Sequence, residues 1–275
     1  MMKNIKHIIY TTDIAGALIM KDFECEKIPV IDARSAVYVA TGIAAQNKEI
    51  VMVLVNSSNA SRSAFSGMTE AYYRKLPIVL VTVGMELDYS KELNDVINSH
   101  FVISDTSKID GLLESEMPMH IEIRTERINI GQKKSVLFDL LKKVLGSHDY
   151  LYVGQSISID KEGFKCKVVH GGTPDCLEGS LANVLGASLA KIRKRYIGVV
   201  TEDEFIHDMN TLGNINVNDS LLYIVLCGVE SSLIFGYANS LGFECYKYEV
   251  CNISQESFTQ VINSNRKSLV VVCGD

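Results

Sequence analysis

The sequence predicts an α/β protein built from two doubly wound domains, each with a mostly parallel sheet. Three observations indicate this architecture. Short segments rich in Val, Ile and Leu alternate with amphipathic segments along the whole chain, which is the pattern of repeated βαβ units. The apolar segments are continuous, as expected for strands covered by helices on both faces. The alternation is interrupted near the middle of the chain by Gly146-Ser147-His148-Asp149.

The first half of the chain is predicted to form a domain over residues 1–132. Strands are predicted at Ile5–Tyr10, Pro29–Ile31, Ile50–Val55, Ile78–Val83, Phe101–Ser104 and His120–Arg124. Helices are predicted at 34–47, 60–74, about 88–99 and 106–115.

The second half begins with an amphipathic helical segment, Ser135–Leu145, which ends at the break at Gly146. We therefore predict a linker helix within residues 133–148 and a second domain over 149–275. Strands are predicted at 150–154, 166–169, 196–200, 221–227, 244–248 and 268–273, and helices at about 177–193, 203–212, 230–242 and 254–264.

The composition of the chain argues against several functional classes. The net charge of −6 over 275 residues lacks the basic footprint of a nucleic-acid-binding protein. No apolar segment approaches the roughly 20 residues that span a bilayer, and Asp13 interrupts the apolar N-terminal segment, so we expect neither a membrane span nor a signal peptide. Seven dispersed cysteines without C-x-x-C spacing indicate reduced thiols in a cytoplasmic protein.

Two motifs in the first half indicate a family. Asp32-Ala33-Arg34-Ser35-Ala36 opens one predicted helix, and Glu70-Ala71-Tyr72-Tyr73 ends the next. They resemble the pyrimidine-binding domain of thiamine-diphosphate enzymes, above all the menaquinone-pathway succinyl-enolpyruvyl-hydroxycyclohexene-carboxylate synthases and then the acetolactate synthases. The first motif reads D-E-R-S-A in that family, and its glutamate hydrogen-bonds the aminopyrimidine of the cofactor. Ala33 stands in its place, so the resemblance implies a site without its catalytic residue. Asp32 and Arg34 could form a local ion pair.

The turn Asn56-Ser57-Ser58-Asn59 follows a predicted strand at the place where the relatives have T-S-G-T. Two interpretations are open. The resemblance implies a cofactor-facing loop formed by Asn56, Ser57 and Ser58 at the carboxyl edge of the sheet. The alternative is a polar turn in which Ser58 or Asn59 caps the next helix.

The second half resembles the diphosphate-binding domain of the same family. Its likeness begins at Ser180–Ala190 and continues through Ile197–Val200. In the family the strand leads into G-D-G, whose aspartate holds the magnesium that bridges the diphosphate. This chain has Thr201-Glu202-Asp203 there, and Cys227-Gly228 where the family has asparagines.

The resemblance therefore implies Glu202 as the metal ligand, with Thr201, Asp203, Cys227 and Gly228 beside the diphosphate. These residues suit that role poorly. Glutamate is one methylene longer than aspartate, a cysteine thiol is too soft for magnesium, and the acidic residues from 202 to 204 repel a phosphate. In the alternative interpretation, Thr201 caps a helix whose first turn is acidic. We expect binding of thiamine diphosphate and magnesium to be weak or absent.

These departures favour a pseudoenzyme of this fold that serves as a partner or regulatory subunit. The alternative is a thiamine-diphosphate- and magnesium-dependent decarboxylase or carboligase acting on a small 2-oxo acid, since the glyoxylate carboligases also lack the glutamate. An engineered change at Ala33 would explain that position but neither Glu202 nor Cys227. We expect a homodimer or a dimer of dimers, or a complex with another protein subunit, because helices 34–47 and 60–74 have many small residues that permit close packing.

Overall fold

In the part of the chain that the structure describes, twelve strands form two parallel sheets of six strands each. The computed structural model describes residues 5–11, 20–21, 23–84, 93–124, 136–171, 177–213, 217–227, 232–264 and 266–274, with the backbone alone for 56–61. The first sheet contains β1 (His7–Tyr10), β2 (Glu26–Pro29), β3 (Val51–Asn56), β4 (Ile78–Gly84), β5 (Ser99–Ile103) and β6 (Met119–Arg124). The second contains β7 (Asp149–Val153), β8 (Lys167–His170), β9 (Arg195–Thr201), β10 (Leu221–Cys227), β11 (Glu244–Glu249) and β12 (Ser268–Cys273).

Helices connect the strands. They are α1 (Ala33–Asn47), α2 (Ser57–Tyr73), α3 (Ile109–Leu112), α4 (Val136–Val144), α5 (Ser180–Leu189), α6 (Glu202–Asp208), α7 (Ser232–Ser240) and α8 (Gln255–Ile262). Short 3-10 turns lie at Asn94–Val96, Thr106–Lys108, Met209–Leu212 and Val250–Asn252. No helix within the described ranges is long and apolar enough to cross a membrane.

The two sheets have the same strand order. The first is β2-β1-β3-β4-β6-β5 and the second, read from its other edge, is β8-β7-β9-β10-β12-β11. Every pairing between these strands is parallel. Parallel neighbours need crossover connections, and here helices supply many of them. The predicted class of two doubly wound, parallel-sheet α/β domains is confirmed.

Each sheet has an apolar cluster on both faces. In β3, for example, Val53 lies in one cluster and Met52 in the other. In β9, Ile197 and Val200 are divided in the same way. This double burial explains why the strands are continuously apolar in the sequence.

The chain separates into two compact units, Met1–Ile130 and Gly131–Asp275. Helix α4, which the sequence predicted as a linker, belongs to the core of the second unit. Leu137 and Leu141 of this helix lie in one apolar cluster with Leu151 and Val153 of β7. The amphipathic pattern of α4 is therefore explained by packing on the second sheet.

Several element boundaries differ from the sequence prediction. Strand β2 occupies Glu26–Pro29, whereas the sequence predicted Pro29–Ile31, so the two share only Pro29. The chain bends at residues 31–32, directly before α1. The helix predicted at 177–193 is shorter, and Lys191 beyond its end has a left-handed φ of 54°. Much of the helix predicted at 88–99 falls outside the described residues, and Ser99 begins β5.

Candidate functional site

The residues that the sequence singled out lie at two sheet edges, one in each unit. Because the strands of each sheet are parallel, their carboxyl ends meet at one edge, where open α/β sheets bind ligands. In the first unit, Ala33 lies beyond the carboxyl end of β2, and the segment 56–58 lies at the carboxyl end of β3. Thr201, Glu202, Asp203 and Cys227 lie at the ends of β9 and β10 in the second. Gly228 lies outside the described residues.

Ala33 is the first residue of α1, and its methyl group is buried in the apolar core of the first unit. The preceding residue, Asp32, has extended backbone geometry and accepts a hydrogen bond from the Ser35 N–H at 2.7 Å. Asp32 is thus a helix N-cap. The expected ion pair with Arg34 is long, at 4.0 Å between Nε and Oδ1, and Arg34 is exposed, so it contributes little.

The segment Asn56-Ser57-Ser58 contains no separate turn. Strand β3 ends at Asn56, and α2 begins at the next residue, Ser57. The proposed capping role of Ser58 or Asn59 is therefore wrong, because both residues lie inside the first helical turn. The helix nevertheless begins at the carboxyl edge of the first sheet, as the cofactor-loop interpretation requires.

Thr201 ends β9 and caps α6. Its hydroxyl accepts a hydrogen bond from the Glu204 N–H at 3.3 Å, and Glu204 Oε2 accepts one from the Thr201 N–H at 2.8 Å. This reciprocal pair is a capping box. The first turn of the helix is acidic, with Glu202, Asp203 and Glu204, so the arrangement is the one that the capping interpretation predicted.

Glu204 makes more contacts than a capping box needs. Its side chain is fully buried, and its Oε1 accepts hydrogen bonds from the Ser156 N–H at 3.3 Å and the Ser180 hydroxyl at 3.4 Å. A side chain at Gly154 would collide with this carboxylate. Sequence reasoning missed this role, although the spacing of Thr201 and Glu204 is the T-x-x-E signature of a capping box.

Asp208 lies one turn further along α6 and contacts the start of α5. Its Oδ2 accepts hydrogen bonds from the Leu181 N–H at 3.2 Å and the Ala182 N–H at 3.4 Å. Gly179, the N-cap residue of α5, has no side chain to make these bonds. Burial opposes ionisation of Asp208, but hydrogen bonds from His207 and from backbone N–H groups hold its pKa below the usual value.

Cys227 and Glu202 are in contact at the same edge. The Glu202 carboxylate lies close enough to the Cys227 thiol to affect its pKa, and Cys227 is in register with Cys273 of β12. Burial, together with the charges of Glu202 and Cys273, raises the pKa of Cys227 to about 12. At neutral pH the Cys227 thiol is therefore protonated. Asp203, by contrast, is exposed on the helix surface.

The structure thus brings together Glu202 and Cys227, which the resemblance associates with magnesium. Their chemistry fits that ion poorly, because magnesium prefers hard oxygen ligands in octahedral geometry. In the described ranges, no three His, Cys, Asp or Glu side chains are arranged to hold a metal ion.

The first unit contains a buried polar cluster that the sequence analysis did not identify. His120 is fully buried, its Nε2 lies 2.9 Å from Thr82 Oγ1, and its ring stacks on that of His100 at 5.1 Å. Burial and the neighbouring His100 lower the pKa of His120 to about 3. Glu122 is buried on the same face and pairs with Arg124 at 3.3 Å. The alternating His120-Ile121-Glu122-Ile123-Arg124 was the available sequence signal.

No protein-family model matches this chain. The chain is similar to the 2-succinyl-5-enolpyruvyl-6-hydroxy-3-cyclohexene-1-carboxylate synthase of Bacillus velezensis, with 32% identity over 103 residues. The similarity covers 34% of this chain and only 17% of the synthase. The crystal structure of benzoylformate decarboxylase from Polynucleobacter necessarius aligns with 98% of this chain and 96% of its own, at 8% identity and a TM-score of 0.39. The chain resembles the thiamine-diphosphate-dependent enzymes, as its motifs indicated.

Proposed function

We propose that this protein is a diverged member of the thiamine-diphosphate fold that lacks the classical ylid chemistry and serves as a partner or regulatory subunit. The observation that supports this most directly is Ala33. By resemblance it stands where the family has its glutamate; it begins α1, and its methyl group is packed in the core. General acid–base assistance is worth about 10²–10⁴ in rate, so ylid formation would be very slow even with the cofactor bound.

The second unit gives separate support. When bound, thiamine diphosphate supplies the carbanion chemistry of this family, and the protein must hold its diphosphate through magnesium. Glu202, the carboxylate that the resemblance associates with magnesium, lies beside the Cys227 thiol and helps to raise the pKa of that thiol. We therefore propose that magnesium and thiamine diphosphate bind weakly or not at all.

The alternative function is a thiamine-diphosphate- and magnesium-dependent decarboxylase or carboligase that acts on a 2-oxo acid. The 32% identity to the synthase favours this alternative. It would require a chemical substitute for the missing glutamate and a metal site that tolerates Glu202.

We also propose that the protein forms a homodimer or a dimer of dimers, or pairs with a related subunit. Several of the small residues first expected at this interface are instead buried within the unit. Ala36, Ala40 and Ala64 are buried, and a Cβ on Gly67 would lie 2.7 Å from Val37 Cβ. The support comes instead from large side chains that remain exposed on α1 and α2, namely Tyr38, Val39, Phe65 and Tyr73.

We propose a cytoplasmic location. The six cysteines in the described part of the chain are free thiols, at positions 25, 166, 227, 245, 251 and 273. Unpaired thiols of this number are typical of a reducing compartment.

Calorimetry on the wild-type protein with thiamine diphosphate and MgCl₂ tests the proposal, together with release of CO₂ from pyruvate and other 2-oxo acids. We expect no tight binding and no robust turnover. Ala33→Glu alone should not restore activity, because Glu202 and Cys227 are unchanged, and Ala33→Gln controls for side-chain size. Tight binding by the wild type, or rescue of activity by Ala33→Glu, would contradict the proposal and indicate an active thiamine-diphosphate enzyme.

A further inference from the structure

The buried carboxylate of Glu204 lies among hydrogen-bond donors from several elements at the carboxyl edge of the second sheet. The Thr201 N–H ends β9, the Ser156 N–H follows β7, and the Ser180 hydroxyl begins α5. Strands β7 and β9 are neighbours in the sheet. The donors therefore converge on one point from separate parts of the chain.

A capping box accounts for only part of this arrangement. That motif needs only the reciprocal bonds between Thr201 and Glu204. Here the carboxylate is fully buried and accepts two further bonds from residues 24 and 48 positions away. Burial of a carboxylate is costly unless hydrogen bonds compensate for its lost hydration. The donor set around Glu204 thus has the composition of an anion-binding site.

The backbone beside this site is also shaped for the carboxylate. Gly154 follows β7, and its N–H donates to the Val199 carbonyl at 2.7 Å. A Cβ at this position would overlap the Glu204 carboxylate. The close approach of backbone to an anionic group is a role that glycine serves at phosphate sites.

Asp208 occupies the neighbouring donors in the same way. Its carboxylate accepts from the Leu181 and Ala182 N–H groups at the start of α5. The N-terminus of a ten-residue helix would otherwise attract an anion. Glu204 and Asp208, one turn apart on α6, therefore accept hydrogen bonds from the donors at this edge of the sheet.

We propose that Glu204 is a built-in anion that occupies a phosphate-type binding site and excludes phosphate or diphosphate ligands from it. This inference rests on the proposed function and gives it a physical cause in the second unit. The carboxylate supplies the negative charge that the donors require, and it is tethered to α6, so an external anion must displace it. Removal of the side chain leaves the donors without an acceptor and opens the site to a soluble anion.

The test is titration of inorganic phosphate and inorganic diphosphate, without magnesium, into variants at position 204. We expect Glu204→Ala and Glu204→Ser to bind at least one of the two anions with an association constant at least about tenfold above that of the wild type, because the free donors are matched to an anion. Glu204→Gln should show no gain, since its amide fills the same space. Asp203→Ala is the matched control, because it removes one charge from the same turn at an exposed position.

Thermal unfolding of the same variants gives a second measurement. We expect Glu204→Ala and Glu204→Ser to be destabilised in anion-free buffer and to recover in part when the anion is added. Folded variants that bind neither anion more tightly than the wild type would overturn the inference. Variants that stay unfolded at high anion concentration would overturn it as well.

The outcomes also separate this inference from the proposed function. Tight binding of thiamine diphosphate by the wild type, with Glu204 intact, contradicts both the proposed function and the exclusion of diphosphate by Glu204, whatever the variants do. A wild type that binds no cofactor and variants that gain no anion affinity leave the proposed function standing and refute the role of Glu204. An anion gain shared by Asp203→Ala would indicate a general charge effect and would likewise refute it.

Discussion

In the first unit, the helix that follows the second strand is capped by the residue directly before it, whereas the corresponding helix of the second unit is capped from a distant part of the chain. Asp32 caps α1 through the Ser35 N–H, three residues away. Asp208 caps α5 through the Leu181 N–H, 27 residues away. The two units share one strand order, so the same architecture accepts a local and a tertiary solution to the same problem of unpaired N–H groups.

The helices that follow the third strands differ in a related way. In the first unit, β3 runs directly into α2 at Ser57. In the second, β9 runs into α6, and that helix turns two carboxylates into the interior at Glu204 and Asp208. The carboxyl edge of the second sheet therefore contains internal acceptors for donors that could otherwise serve a ligand.

The largest expected effect comes from closing the space beside Glu204. Gly154→Ala should lower the free energy of unfolding by about 3 kcal/mol or more, because its Cβ displaces a buried, hydrogen-bonded carboxylate. Chemical denaturation measures the change. Gly146→Ala is the control, since the nearest atom to its added Cβ is 3.9 Å away.

Combining Gly154→Ala with Glu204→Ala sharpens this result. The double variant should be more stable than the sum of the single effects predicts, because the added methyl group then enters the space that the carboxylate left. Strict additivity would show that the two residues do not compete for the same space.

The two caps should differ in strength. Asp208→Ala should cost about 2–3 kcal/mol, because it leaves buried N–H groups unpaired, and Asp32→Ala about 1 kcal/mol, as for an ordinary N-cap. The depressed pKa of Asp208 means that its contribution is present above about pH 4 and falls as pH falls through the folded-state pKa. Urea unfolding at several pH values tests both statements. If Asp208→Ala and Asp32→Ala lowered the free energy of unfolding equally at neutral pH, the two caps would not differ in strength.

The buried histidine of the first unit should make the protein sensitive to acid. The pKa of His120 falls from 6.5 to about 3 on folding, so below pH 6.5 the unfolded chain binds a proton that the folded chain does not. Stability should therefore decrease as pH falls from 6.5 toward 3, by up to about 1.4 kcal/mol per pH unit. His120→Gln should reduce that slope, and the exposed His148→Gln should leave it unchanged. Identical slopes in both variants would argue against His120 as the cause.

The smallest effects concern two exposed helix glycines, one in each unit. No atom lies within 4 Å of an added Cβ at Gly42 in α1 or at Gly186 in α5. Gly186→Ala should stabilise the protein by about 0.5–1 kcal/mol through its helix propensity. Gly42→Ala should give a smaller gain, because Gly42 is exposed on α1, the helix that also presents Tyr38 to the proposed partner. Thermal unfolding at two protein concentrations measures both, and equal, concentration-independent gains would count against a partner on this face.

The sequence predicted the fold more completely than it predicted the arrangement of the candidate site. The continuous apolar strands indicated double burial, and Ile78–Val83 and 221–227 were predicted within a residue of the observed β4 and β10. Boundaries failed where no turn separates two elements, as at Asn56 and Ser57. The contact between Glu202 and Cys227 could be anticipated only from the family likeness, because 25 residues separate them in the chain.

The sequence by itself determined the alternation of strands and helices and, through the family resemblance, the loss of the glutamate at Ala33. Each of these depends on residues close together in the chain, where periodicity and local hydrogen bonding act. Only the tertiary structure decided that Glu204 is buried among donors from β7 and α5, that Asp208 caps α5, and that His120 stacks on His100. Polar groups must find partners once water is excluded, and which partners are within reach depends on strands that the fold brings together from distant positions.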